Sequence, residues 1–152
     1  MKSNKGFTLV ELLAVIVILA IIALIATPII LGVIDTAKKG SAEASALAYV
    51  KAVEDQIVIS QVTADETDDI TLPTTGNQDY AVGSGALASV TVKGTAPTAS
   101  KGKVVIDSTG EVQTGTCLVI TMSGSTYNVA YDGSKAAVQE AACTDYSAPV
   151  EG

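Results

Sequence analysis

The fold of this chain is decided by residues 7–34, which read FTLVELLAVIVILAIIALIATPIILGVI. The segment is apolar without interruption from Leu12 to Ala26. A helix over residues 7–34 would be about 42 Å long, since each residue adds about 1.5 Å, and would cross a hydrocarbon core of about 30 Å. Glu11 puts a carboxylate inside this segment, which costs free energy in a membrane unless the group is paired or functional.

The residues at the start of this segment form a specific motif. A short basic leader ends at Gly6, the aromatic Phe7 follows, Glu11 is the fifth residue beyond the glycine, and Pro28 lies within the apolar run. Together these features resemble the prepilin cleavage and methylation signature of the type IV pilin family. The resemblance covers roughly residues 2–40, and the remainder of the chain only in general plan.

The resemblance implies how the N-terminus is processed. A prepilin peptidase would cleave between Gly6 and Phe7 and then methylate the new α-amine of Phe7. An ordinary secretory signal has its apolar core before the cut, whereas here the apolar segment follows it and stays in the product. Lysines flank both ends of the segment, so the orientation comes from the resemblance: N-terminus inside, bulk of the chain outside.

Glu11 and Pro28 each allow two interpretations. Thr8 and Glu11 fit a capping box, in which Glu11 accepts a hydrogen bond from the backbone of Thr8. The resemblance implies instead that Glu11 pairs with the Phe7 amine of a neighbouring subunit, where a buried pair sets register more than it adds stability. Pro28 is either a tolerated kink in a membrane span or, as the resemblance implies, part of a segment that melts and makes a filament extensible.

The predicted fold class is α+β, with one long N-terminal helix packed on a small antiparallel sheet. Five regions follow one another: a leader at 1–6, an apolar transmembrane and assembly helix at 7–34, an amphipathic continuation at 35–62, a connecting loop at 63–86, and an antiparallel sheet with a C-terminal disulfide region at 87–152. We expect the helix to run from about Thr8 to about Ser60.

The second half of the predicted helix carries one apolar face. Its positions recur at helical spacing: Ala46, Val50, Val53 and Ile57. Tyr49 lies beside this face, and Glu54 is expected to point away from it. The pattern predicts that this face packs on the sheet.

From residue 87 onward the apolar residues alternate. Four strands are predicted, at Leu87–Val92, Lys103–Asp107, Cys117–Met122 and Thr126–Tyr131. A short strand at Glu111–Gln113 is expected to pair back onto the second of these. Turn residues at 107–110, 123–125 and 132–133 separate the strands closely, which favours antiparallel pairing.

Composition excludes several functional classes. Sixteen acids against nine basic residues give a net charge of −7, which argues against nucleic-acid binding, and the chain has no His. We find no phosphate-binding loop, nucleophile–base set or metal-ligand cluster, so neither catalysis nor a cofactor is expected. The acidic cluster in residues 65–69 has carboxylates that suit calcium, but its spacing matches no EF-hand loop and favours a solvated loop.

Cys117 and Cys143 are the two cysteines of the chain. A disulfide between them is allowed if the domain faces outside the membrane, and a C-terminal disulfide loop occurs in many pilins, so the resemblance implies a bridge. Two free buried thiols are the alternative. The chain has no Cys-x-x-Cys, so a redox role is not expected.

The resemblance implies a structural subunit of a type IV pilus, not an enzyme. Its partners would be further copies of itself, the prepilin peptidase, the platform protein and the cytoplasmic ATPase of the assembly machinery. It would lie in the cytoplasmic membrane before assembly and in an extracellular pilus afterwards, where this scaffold serves adhesion, twitching motility, biofilm formation or DNA uptake. The alternatives are the main pseudopilin of a type II secretion or DNA-uptake machine, and a membrane-tethered extracellular binding domain that never polymerises.

Overall fold

A computed structural model of the chain describes residues 6–63 and 70–144. One α-helix, α1 (Leu9–Thr63), is followed by five strands: β1 Asn77–Ala81, β2 Gly102–Asp107, β3 Cys117–Met122, β4 Ser125–Tyr131 and β5 Ala136–Gln139. The chain divides into two compact units, Met1–Ala37 and Lys38–Gly152, and α1 contributes to both. The predicted α+β class, a long helix with an antiparallel sheet, is confirmed.

The second unit is built on one antiparallel sheet in the order β1-β2-β3-β4-β5. All five residues of β1 pair with β2, and all six residues of β3 pair with β4. The β2–β3 ladder contains only two residue pairs, Gly102 with Leu118 and Lys103 with Cys117. Every strand therefore neighbours its predecessor in sequence, which is the simplest connection for short turns.

The part of β2 beyond this ladder is bonded by the following segment. The backbone N–H of Gln113 donates to the carbonyl of Val105 at 2.8 Å, and the Val105 N–H donates to the buried hydroxyl of Thr116, also at 2.8 Å. Ile106 and Val112 form an isolated antiparallel bridge, which confirms the predicted pairing of the short segment with β2. These bonds satisfy backbone groups that would otherwise lie unpaired beside the core.

The C-terminal part of α1 buries one face against the sheet. The buried helix residues are Ala42, Ala46, Tyr49, Val50, Val53, Ile57 and Ser60. All of them except Ser60 belong to one core cluster, which also contains fully buried strand residues such as Val104, Ile106, Leu118 and Ile120. The predicted apolar face is confirmed, because its four spaced positions and Tyr49 all lie in this core.

The strand predicted at Leu87–Val92 is wrong. Residues Gly85–Leu87 form a 3-10 helix, in which the Leu87 N–H donates to the carbonyl of Ser84 at 3.2 Å. The physical reason is that β1 already fills the position beside β2, so the alternating residues beyond Leu87 have no open sheet edge there. Leu87 instead turns into the core, where it is fully buried.

The sequence pattern also misses two strands and two helix–sheet contacts. It predicts neither β1 nor β5, which form the two edges of the sheet. Glu54 does not point away from the sheet, since its carboxylate accepts a hydrogen bond from the Val112 N–H at 3.3 Å. Glu43 accepts one from the N–H of Val138 in β5 at 3.0 Å. Both carboxylates fix the position of α1 against sheet backbone.

Candidate processing and assembly site at the N-terminus

The residues of the N-terminal motif lie where the chain enters α1. Gly6, Phe7 and Thr8 precede Leu9, the first residue of the helix. Phe7 is 91 % exposed, and no described residue other than the chain neighbours of Gly6 has an atom within 4 Å of the point where a Cβ would stand on Gly6. In the described part of the chain, Gly6 and Phe7 are therefore exposed.

Thr8 and Glu11 form the capping box that the sequence allows. The Thr8 N–H and the Thr8 hydroxyl both donate to Oε2 of Glu11 at 2.8 Å, and the Glu11 N–H donates to the Thr8 hydroxyl at 3.3 Å. These bonds satisfy amides of the first helical turn, and a carboxylate there also interacts favourably with the helix dipole. In the single chain the carboxylate of Glu11 is thus held at the helix start, on the same exposed end as Phe7.

The helix that follows Glu11 presents large apolar side chains to its surroundings. Eighteen of the exposed large apolar residues lie between Leu9 and Ile34, and examples are Leu24, which is 78 % exposed, and Val33, which is 65 % exposed. By length and composition, α1 contains a window that would cross a membrane. Exposed apolar surface on this scale marks an interaction surface, either with lipid or with protein.

Pro28 lies inside α1, which continues through it. Proline has no N–H, so the carbonyl one turn earlier, on Leu24, receives no helical hydrogen bond from this position. The neighbouring Thr27 hydroxyl donates to the carbonyl of Ala23 at 2.8 Å, and the Thr36 hydroxyl donates to that of Gly32 at 3.0 Å. The helix is therefore intact around Pro28 with one backbone bond fewer.

The two cysteines belong to the second unit and are joined. Cys117 and Cys143 form a disulfide with Cα atoms 5.5 Å apart and a sequence separation of 26 residues. Gly102 leaves room for the β3 backbone beside the bridge: its φ is +75°, and an added Cβ would lie 2.1 Å from the Cys117 carbonyl oxygen. The bridge ties the segment after β5 to the start of β3.

Other predicted residues fall outside the described part of the chain. These are the leader up to Lys5, with both of its lysines, and the acidic residues 65–69 that raised the question of calcium. The division of the whole sequence into five regions remains a prediction.

One comparison with known proteins identifies the N-terminal segment. Residues 1–27 match a family model described as the prokaryotic N-terminal methylation motif. Searches among curated proteins and among solved structures gave no match. The chain carries the signature of type IV pilins and prepilins, a structural family that includes pseudopilins, and its apolar N-terminal helix fits membrane anchoring before assembly.

The sequence predicts the residues of the N-terminal motif. It does not predict the residues whose contacts form only between separate elements of the folded chain. Gln139 donates from Nε2 to the Cys117 sulfur at 3.3 Å, and Gly102 leaves room for the Cys117 carbonyl. Both contacts join separate strands, since Gln139 is in β5, Gly102 begins β2 and Cys117 begins β3. The hydrogen bonds accepted by the carboxylates of Glu43 and Glu54 are likewise not predictable from neighbouring residues, because their donors lie 95 and 58 residues away in the sequence.

Proposed function

We propose that this chain is a structural subunit of a type IV pilus, cleaved after Gly6, methylated at Phe7 and polymerised through its N-terminal helix. The observation that carries the proposal is the methylation motif at residues 1–27, which leads directly into an exposed apolar helix. In a membrane that apolar surface contacts lipid, and in a filament it contacts the helices of other copies. The same apolar surface thus serves the subunit first in the membrane and then in the filament.

Glu11 is the residue proposed to guide a subunit into the growing filament. Its carboxylate lies at the exposed helix start, next to the position where cleavage would create a charged α-amine on Phe7. An amine from one subunit and a carboxylate from the next form a charge-assisted hydrogen bond between apolar helices. Such a pair selects one register, because any other leaves a charge unpaired in an apolar environment.

Pro28 is proposed to make the filament extensible. The missing backbone bond lowers the free energy needed to open the helix locally near Ala26–Gly32. Replacing Pro28 with Ala restores the donor, and amide hydrogen exchange in this segment of assembled filaments should then slow. Equal exchange rates in the two filaments would exclude this role.

The proposed partners follow from this life cycle. They are the prepilin peptidase, an assembly platform in the membrane, a cytoplasmic ATPase and further copies of the chain itself. Before assembly the subunit would reside in the cytoplasmic membrane with its N-terminus on the cytoplasmic side. On assembly it would move into an extracellular pilus. Adhesion and twitching motility are the proposed uses of the finished fibre.

A main pseudopilin of a secretion or DNA-uptake machine would share the motif and the helix. The disulfide favours a pilus, since a stapled C-terminal segment suits a subunit that stays exposed outside the cell. Electron microscopy of cells that produce the chain decides between them. Long surface fibres containing the chain support the pilus, and fibres confined to the envelope identify the pseudopilin.

Mass spectrometry of protein sheared from the cell surface tests processing directly. We expect an N-terminus at methylated Phe7 and a mass two hydrogens below that of the dithiol, because of the Cys117–Cys143 bridge. A chain that keeps Met1–Gly6 and occurs only in membranes would instead be a tethered binding domain, and the polymer proposal would be withdrawn.

A further inference from the structure

The disulfide borders an open groove on the second unit. The groove has a volume of about 250 Å³, and its lining includes Cys117, Cys143, Thr116, Tyr131 and Gln139. Among the described residues, none that lines it has a charged side chain. Burial raises the pKa of Tyr131, and the carboxylates of Glu54, Glu111 and Asp132 raise it further, so this phenol stays neutral at ordinary pH. A groove of this size admits a small thiol or a cysteine side chain of a partner.

The two sulfurs of the bridge belong to residues with different surroundings. Cys117 is 7 % exposed and is the first residue of β3, where it pairs with Ala130 in β4 and Lys103 in β2. Cys143 lies beyond β5 in an irregular segment and is partly exposed. A thiolate attacks a disulfide sulfur from outside, so access decides which sulfur reacts. Cys143 is the more exposed of the two residues, so we expect an external thiolate to reach its sulfur first.

A hydrogen bond from Gln139 to the Cys117 sulfur is a second difference between the two sulfurs. Its Nε2 donates to the Cys117 sulfur at 3.3 Å and to the carbonyl of Ala141 at 3.2 Å, which holds the amide in place. A disulfide sulfur is a weak acceptor, whereas a thiolate carries a full charge and accepts much more strongly. The amide of Gln139 therefore favours the state in which the electron pair leaves on Cys117.

We propose that the bridge is broken and formed through Cys143, with Cys117 as the leaving sulfur and Gln139 as its hydrogen-bond donor. The co-reactant is an external dithiol. One of its thiolates attacks the Cys143 sulfur, an S–S bond forms between them, the Cys117–Cys143 bond breaks, and Cys117 leaves as a thiolate that takes a proton from water. The second thiol of the co-reactant, as its thiolate, then attacks the co-reactant sulfur of the mixed disulfide, and Cys143 leaves as a thiolate that takes a proton from water. The co-reactant is thereby oxidised to a disulfide and the protein is reduced to the dithiol. Formation of the bridge runs through the same steps in reverse.

The direction of exchange is tested on the oxidised full-length chain in detergent, with glutathione as the probe. The mixture is treated with N-ethylmaleimide at early times to block the released thiol, quenched with acid, and mapped by mass spectrometry. We expect glutathione on Cys143 and maleimide on Cys117, in about tenfold excess over the opposite pattern. Glutathione on Cys117, or equal labelling of both, overturns the proposal.

The role of Gln139 is tested with Gln139→Glu, which keeps the shape of the side chain but replaces the donor with an acceptor. The initial rate of mixed-disulfide formation should fall about tenfold, as expected when a hydrogen bond to a charged group is lost. The control is Gln78→Glu, which adds the same charge to the exposed β1 on the other edge of the sheet. If the initial rate of mixed-disulfide formation falls in both variants, or in neither, Gln139 does not have the proposed role. The labelled position still tests the direction of exchange, and neither outcome depends on whether the chain polymerises.

Discussion

At the scale of single residues, Glu11 takes part in two different interactions, and substitutions separate them. Glu11→Ala removes both the cap and the proposed partner of the neighbouring Phe7 amine. Thr8→Ala removes the hydroxyl of the cap and leaves the carboxylate of Glu11 in place. We expect filament yield from Glu11→Ala to fall about tenfold or more, because an amine would be left unpaired between apolar helices.

Thr8→Ala should assemble nearly as well as the original chain. The measurement is the amount of sheared filament per cell, normalised to the amount of subunit in the membrane. If Thr8→Ala reduces the yield as strongly as Glu11→Ala, the carboxylate acts through the helix cap and the docking role is lost.

Asp107 gives a prediction about pH at the same scale. The hydroxyl of Thr109 donates to its carboxylate at 2.6 Å, with further donors from Gln113 and from the backbone of Thr109 and Glu111, and these bonds hold the pKa below its ordinary value of 3.8. A carboxylate with a lowered pKa in the folded state stabilises the fold above the unfolded pKa, and this contribution disappears as pH falls through the folded value.

Asp107→Asn should therefore lower the Tm by a few degrees at pH 6, and the difference from the original chain should shrink below pH 3. Thermal unfolding followed by circular dichroism at both pH values measures this. A difference that stays constant down to pH 2 would mean that the ionised carboxylate is not the cause.

At the scale of elements, α1 places two isoleucines in opposite environments. Ile57 is 1 % exposed within the core, and its Cγ2 lies 2.8 Å from the point where a Cβ would stand on Gly110 in the turn after β2. Ile59, two residues later, is 51 % exposed. Ile57→Ala should destabilise the second unit by about 2–5 kcal/mol, because it leaves a cavity between helix and sheet.

Ile59→Ala is the matched control and should change the free energy of unfolding by about 0.5 kcal/mol or less. Urea unfolding of both full-length variants, followed by tyrosine fluorescence, provides the comparison. Similar losses in the two variants would contradict the assignment of this helix face.

The same elements show why part of the fold is readable from sequence. Spacing along one helix depends on neighbours three and four residues apart. The buried face of α1 could therefore be predicted from four spaced positions: Ala46, Val50, Val53 and Ile57. Strand pairing depends on distant residues. The stretch after Leu87 alternates like a strand, but β1 occupies the edge of β2, and no local pattern contains that competition.

The candidate sites differ in the same way: some of their residues are contiguous in sequence, and others are brought together only by the fold. The processing and capping residues are contiguous at the N-terminus, so the motif could be found by reading along the chain. The surroundings of the bridge come from several separate elements. Gly102 begins β2, Cys117 begins β3 and Gln139 ends β5, and only the sheet order brings them together. The contacts of Gln139 therefore could not be predicted from spacing.

At the scale of the whole molecule, the disulfide is a covalent cross-link between the start of β3 and the segment after β5. It closes a separation of 26 residues, and the chain-entropy relation gives such a closure about 3 kcal/mol of stability. Cys117 lies outside the core cluster that joins α1 to the sheet. Replacing both cysteines with Ser should therefore leave the fold intact while lowering the Tm of the second unit by about 10 °C or more.

The double variant Cys117→Ser with Cys143→Ser avoids a lone thiol that could cross-link two chains. Reduced original chain is the control, and its unfolding midpoint should match that of the double variant, since both lack the same constraint on the unfolded state. Oxidised and reduced chains with the same midpoint would show that the bridge adds no stability. Filaments of the double variant that assemble normally but dissociate at lower temperature would then assign the bridge to durability of the fibre, and assembly to the N-terminal helix.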